Sequence, residues 1–140
     1  MRRDLLDGRV DLGSGVLVTP DLTEEAFLAS AGGAAAEPFV MNGPHRSYKL
    51  KPTATLGPDY LPILYFSDGR IRTVQLADPG RPGETWADWS EASERALQKT
   101  YDAWLKKTLG WRISRRTRWG EIGTHYDAKA GYSFIYFHYA

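Results

Sequence analysis

Three ionisable side chains near the C-terminus stand at a spacing that suits acid–base chemistry: Glu121, His125 and Asp127. On an extended strand alternate side chains share a face, so these three would line up with Trp119. A histidine between carboxylates can take up and release a proton near neutral pH. His125 with Asp127 could also help to hold a metal. Against a metal, the chain has three histidines (His45, His125, His138), and no two are separated by three residues. There is no cysteine, so a thiol nucleophile, a disulfide and a Cys-ligated zinc site are all excluded. We expect no metal and no cofactor. The plainer reading of the group is a polar strand face with a hydrogen-bonded histidine and a turn-forming aspartate. That reading is preferred to catalysis.

A second pattern is cationic. From Lys106 to Arg118 there are six basic residues and no acid: Lys106, Lys107, Arg112, Arg115, Arg116 and Arg118. Trp111 and Trp119 flank the arginines. Arginine beside an aromatic ring can clamp phosphate and stack on bases. If the segment is extended, Arg112, Arg116 and Arg118 share one face. The net charge of the chain is only +1. Its first 70 residues hold 7 basic and 9 acidic side chains, and its last 70 hold 11 and 8. A nucleic-acid surface is therefore less expected than a charged edge strand, or an arginine patch that steers an acidic protein partner.

Two aromatic groups complete the candidates. Trp86-Ala87-Asp88-Trp89 could be an interface hot spot, but pinning a loop to the core is the favoured reading. Residues 132–139 contain five aromatics: Tyr132, Phe134, Tyr136, Phe137 and Tyr139. Alternation would put Tyr132, Phe134, Tyr136 and His138 on one face, with Ser133, Ile135, Phe137 and Tyr139 on the other. The strand is then either covered on both sides or open on one aromatic face. Other signatures are missing. Gly13-Ser14-Gly15 lacks the frame of a nucleophile elbow, and there is no glycine-rich phosphate loop.

These side chains need a scaffold. Asp68-Gly69 between Tyr60–Phe66 and Arg70–Leu76 is a strong hairpin mark. Pro62 points to an edge or a strand start. Residues 39–41 and 46–51 read as strands around Asn42-Gly43-Pro44. Residues 9–18 read as one strand, with a bulge or turn at Gly13 and Gly15. A second hairpin joins Trp119–Asp127 to Tyr132–Tyr139 across residues 128–131. A short helix is expected over 22–30, capped by Asp21 with Glu24, burying Leu22, Ala26 and either Phe27 or Leu28. Residues 31–38 read as a loop. A long helix is expected over 88–109, with Asp88 or Ser90 as cap and Gly110 just past its end. Its buried stripe would be Leu97, Tyr101, Trp104, Leu105 and Thr108. The order of elements predicts one α+β domain over residues 1–140: an antiparallel sheet of six to seven strands with two helices packed on it.

Length and composition agree. The 140 residues are 42% hydrophobic and 25% charged, which excludes disorder and low-complexity classes. A chain of this size can bury about two thirds of its surface. No apolar run reaches the roughly 18 residues of a membrane span, and acids interrupt the basic start Met1-Arg2-Arg3. A soluble, cytoplasmic protein with no membrane partner is expected.

Several segments together look familiar: Thr19 to Leu28, Phe66-Ser67-Asp68-Gly69-Arg70, Trp86 to Glu91, and Trp119-Gly120-Glu121-Ile122 leading to Tyr126-Asp127. Their order, from about residue 15 to 139, resembles a group of small uncharacterised bacterial cytoplasmic proteins. In size and build the group is similar to immunity and accessory proteins of bacterial toxin systems. The resemblance implies a binding role by analogy and carries over no functional residues. The expected function is a small protein-binding module, immunity-type and steric in action, more readily than an enzyme. Its surface would be Arg112, Arg116, Arg118, Trp119, Tyr132 and Tyr136. The alternatives are an enzyme or small-ligand-binding protein using His125 with Asp127 or Glu121, and nucleic-acid binding through residues 112–118. The expected partner is another protein, and an exposed aromatic strand could also be a homodimer seam.

Overall fold

A computed structural model describes residues 3–79, 91–110, 115–127 and 132–140. Most of the chain's β-forming segments meet in one antiparallel sheet. In chain order its strands are β3 (Glu37–Asn42), β4 (His45–Lys49), β5 (Leu61–Ser67), β6 (Arg70–Ala77), β7 (Arg115–Arg116), β8 (Gly120–Asp127) and β9 (Tyr132–Tyr139). Their spatial order is β3-β4-β5-β6-β9-β8-β7, seven strands if the two-residue β7 is counted. The α+β architecture with an antiparallel sheet is as expected.

Both expected strand pairs form, the first around its Asp68-Gly69 turn. Asp68 and Gly69 both take positive φ, 51° and 77°, and close β5 onto β6 as a primed two-residue turn would. β8 and β9 pair in full register from Gly120↔Tyr139 to Asp127↔Tyr132. Pro62 lies in a strand paired on both sides. Its carbonyl accepts from Leu50 N–H at 3.0 Å, and β4 ends at Lys49. Proline has no N–H to return to the Leu50 carbonyl, and the paired strand stops there.

Residues 9–18 depart from the expected single strand. They make β1 (Val10–Asp11) and β2 (Leu17–Val18), a separate two-stranded sheet. Gly13, Ser14 and Gly15 all have positive φ, so the chain reverses within one turn. Leu12 and Val16, at the ends of that turn, are buried together with Val10 and Val18.

Among the described residues four helices accompany the large sheet. α1 (Arg3–Leu6) buries Leu5 and was not expected. α2 (Glu24–Ala29) is shorter than the predicted 22–30. Its N-cap is Thr23, whose Oγ1 accepts from Ala26 N–H at 3.1 Å. Asp21, the expected cap, instead accepts from the Thr19 hydroxyl at 2.6 Å. Of the expected contacts Phe27 is buried, Leu22 is partly so, and Ala26 and Leu28 face outward. Phe27 packs on Phe66 and Tyr48, with ring centroids 5.4 Å from each. Residues 31–34, read as loop, form the one-turn helix α3 (Ala31–Ala34). Ser30 caps it by accepting from Gly33 N–H at 3.0 Å, which offsets the low helix propensity of its two glycines.

The long helix is described as α4 (Glu91–Leu109), ending before Gly110 as expected. Its expected caps, Asp88 and Ser90, lie outside the described residues, as do Trp86 and Trp89. Tyr101 and Leu105 are buried, with Leu97 and Trp104 packed against the core. Leu109, not Thr108, completes the stripe. Glu94 sits on the same stripe, fully buried. Its carboxylate accepts from Ser133 N–H at 3.1 Å, and its main-chain carbonyl accepts from the Ser133 hydroxyl at 2.8 Å. The Thr124 hydroxyl bonds to Asp102, a second tie between α4 and the sheet. No helix among the described residues is long and apolar enough to cross a membrane.

Candidate functional site

The sheet has two unlike faces, and β9 shows both. Ser133, Ile135, Phe137 and Tyr139 point under the helices and are buried. Tyr132, Tyr136 and His138 on the other face are partly or largely exposed, and only Phe134 between them is buried. This second face collects the candidate residues. Glu121, His125 and Asp127 lie opposite His138, Phe134 and Tyr132 respectively. The alternation that placed these side chains together is therefore correct for β8 and β9.

Trp119 is the exception. It lies before the strand begins and packs on the helix side. Its Nε1–H donates to Leu6 O at 2.8 Å, and its ring lies 5.1 Å from that of Tyr139. The Tyr139 hydroxyl donates to Gly8 O at 2.9 Å. Burial pushes that phenol well above its ordinary pKa, so it remains a neutral donor. The Trp119 indole thus ties the N-terminal segment to the sheet, as its large ring and single donor suit it to do.

The polar centre of the second face is not His125 with Asp127. The His125 side chain makes a ring contact with Phe134 at 5.6 Å and no hydrogen bond or ion pair among the described residues. On one strand Glu121 and His125 stand about 13 Å apart along the chain, too far for a shared proton. The centre is Glu121 with Tyr136 and His138. The Tyr136 hydroxyl donates to Glu121 Oε1 at 2.5 Å, and the rings of Tyr136 and His138 are 4.6 Å apart. Across the sheet His138 Nδ1 lies 2.7 Å from Thr73 Oγ1. Burial lowers the His138 pKa, Glu121 opposes that change, and His125 adds to it.

Gly123 makes room for this arrangement. It pairs with Tyr136, and a Cβ there would lie 2.6 Å from the Tyr136 hydroxyl oxygen. With no side chain in the way, the phenol crosses over Gly123 to reach Glu121. A second group lies beside it. Gln75 Oε1 accepts from the Tyr65 hydroxyl at 3.3 Å and the Tyr132 hydroxyl at 3.2 Å. Burial raises the pKa of both phenols. Thr73, Gln75 and Tyr65 were missed from the sequence, although alternation along β5 and β6 puts them on this face.

The arginines stand at the edge. Arg116, in β7, approaches Glu121 Oε2 at 3.6 Å and its side chain is 92% exposed, so the pair leaves its charge open to solvent. Arg118 is exposed and falls in the turn after β7, where Thr117 N–H donates to Gly120 O at 2.8 Å. The segment is thus not extended through Arg118, and the single-face arrangement expected for the arginines does not continue past Arg116. Arg112 lies outside the described residues. Among the described residues no group of three or more His, Asp or Glu side chains is placed to hold a metal ion.

Comparison of the chain with protein-family models, with curated proteins and with solved structures finds no match.

Proposed function

We propose that this chain is a small protein-binding module, and that its contact surface is the second face of β8 and β9 with the cationic edge beside it. The observation that carries the reading is the grouping of Tyr132, Tyr136 and His138 on one partly exposed sheet face, next to the solvent-exposed Arg116. Tyrosine and arginine are the residue types that dominate interface energetics. The two phenols are held by Glu121 and Gln75, so little side-chain freedom remains to be lost on binding. Catalysis is supported less. The Glu121 carboxylate is already engaged by Tyr136 and Arg116, and no polar partner among the described residues orients His125.

The action fitting such a surface is steric, as in an immunity-type inhibitor. The aromatics bury apolar area, and Arg116 and Arg118 steer an acidic partner. The test is affinity capture from a lysate of the source organism. Wild type is compared with an Arg116→Glu/Arg118→Glu variant and a Tyr132→Ser/Tyr136→Ser variant. One protein held by wild type and lost by both variants supports the proposal. Retention by all three, or retention of nucleic acid alone, contradicts it.

A further inference from the structure

At the other end of the second face, away from β8, the sheet carries an open depression. A cavity of about 340 Å³ opens between β3, β4, β5 and β6, lined by Val40, His45, Ser47, Tyr65, Ser67 and Arg72 among others. This is the lower end of the size range of small-molecule sites, roughly 300–1,000 Å³. The sequence explains the hollow. Two serines, Ser47 and Ser67, stand where larger side chains would fill the surface. Two register irregularities flank them. Phe39 and Val40 together oppose Ser47, between the pairs Pro38↔Tyr48 and Met41↔Arg46. The Ser47 hydroxyl closes that bulge, accepting from Val40 N–H at 3.0 Å. Arg72 is the extra residue between Phe66↔Ile71 and Tyr65↔Thr73. A bulge re-aims a side chain out of the strict alternation of the strand, and here it sets Arg72 at the cavity.

The charge of the lining has one sign. None of the lining residues is acidic. Arg46, also in the lining, is paired with Glu24 at 2.6 Å. The Arg72 side chain makes no ion pair or hydrogen bond among the described residues, and the His45 ring bonds there to Ser67, at 3.2 Å. The Val40 side chain and the Tyr65 ring supply apolar wall. We infer that this cavity binds a small carboxylate with an apolar or aromatic body, its carboxylate on Arg72 and His45 and its body against Val40 and Tyr65. A guanidinium fork matches a carboxylate in shape as well as charge. The inference is independent of the protein-binding surface on β8 and β9.

The test is a titration of the isotope-labelled full chain, followed by amide NMR. The probes are 3-phenylpropionate, its neutral amide and inorganic phosphate. The expected result is saturable shifts for 3-phenylpropionate at millimolar concentration, confined to residues around Val40, His45, Ser47, Ser67 and Arg72. Arg72→Gln should weaken it at least about tenfold, the scale of one charge-assisted hydrogen bond. Val40→Glu, at an exposed edge position, should abolish it without unfolding the chain. Absence of saturation, equal binding of the amide or of phosphate, or unchanged affinity in Arg72→Gln would each overturn the inference.

Discussion

Both faces of β9 carry aromatic side chains, but these are held by different forces. Under the helices, Ile135 and Phe137 are fully buried and fixed by close packing, and Tyr139 adds one buried hydrogen bond to its packing. On the second face Tyr132, Tyr136 and His138 are fixed by hydrogen bonds to Gln75, Glu121 and Thr73. Packing excludes water and commits a residue to the fold. A hydroxyl held at its tip leaves the ring oriented and still accessible. Aromatic side chains therefore form core on one side and, Phe134 apart, a preorganised surface on the other.

Truncating one residue on each face separates the two forces. Phe137→Ala should cost about 3–5 kcal/mol of stability, as large-to-small core changes do. Tyr136→Ser should cost about 1.5–3 kcal/mol, the scale of a hydrogen bond to a charged group. Urea denaturation measures both, and equal losses would mean that the second face is core. Gly123→Ala comes next. Its methyl group must displace the Tyr136 phenol and break the bond to Glu121, for about 1–2 kcal/mol. In a Tyr136→Ser background the same change should be nearly neutral, and a double-mutant cycle without coupling would contradict the geometry.

Trp119→Phe sharpens the assignment of Trp119 to the helix side. It should lose about 1 kcal/mol with the Leu6 bond and leave partner capture unchanged. Loss of capture at unchanged stability would return Trp119 to the contact surface. The smallest effect concerns pH. His138 is held below its ordinary pKa, so the native state binds fewer protons than the unfolded chain between the two values. Stability should rise with pH through that window, and its His138 share should be lost as pH falls below about 6.5. His138→Gln should flatten the slope of denaturation midpoint below about pH 6.5. An unchanged slope would show that His138 is not a source of it.

What could be read in the sequence was what local chemistry decides. Asp68-Gly69 determines its own turn, and the apolar spacing of α4 determines its buried face. Period-two alternation is enough to gather Glu121 with His125, and Tyr132 with Tyr136 and His138. The misses came from long-range terms. Glu94 occupies a stripe position, three residues before Leu97, but an acid is buried only if a distant partner such as Ser133 receives it. Residues 31–34 hold a helix because Ser30 caps them, against the propensity of their glycines. Trp119 leaves the strand face because Leu6, 113 residues away in the chain, accepts its N–H. The hollow beside Arg72 depends on two register shifts that no single strand encodes.

The most direct test of the account is partner capture by a second-face variant whose fold is verified. Arg116→Glu, Tyr132→Ser and Tyr136→Ser are combined, and thermal unfolding is recorded on the same sample. The triple variant should remain folded, with a melting temperature lowered by roughly 10 °C, and should no longer retain the protein held by wild type. Undiminished retention by the folded variant would contradict the account.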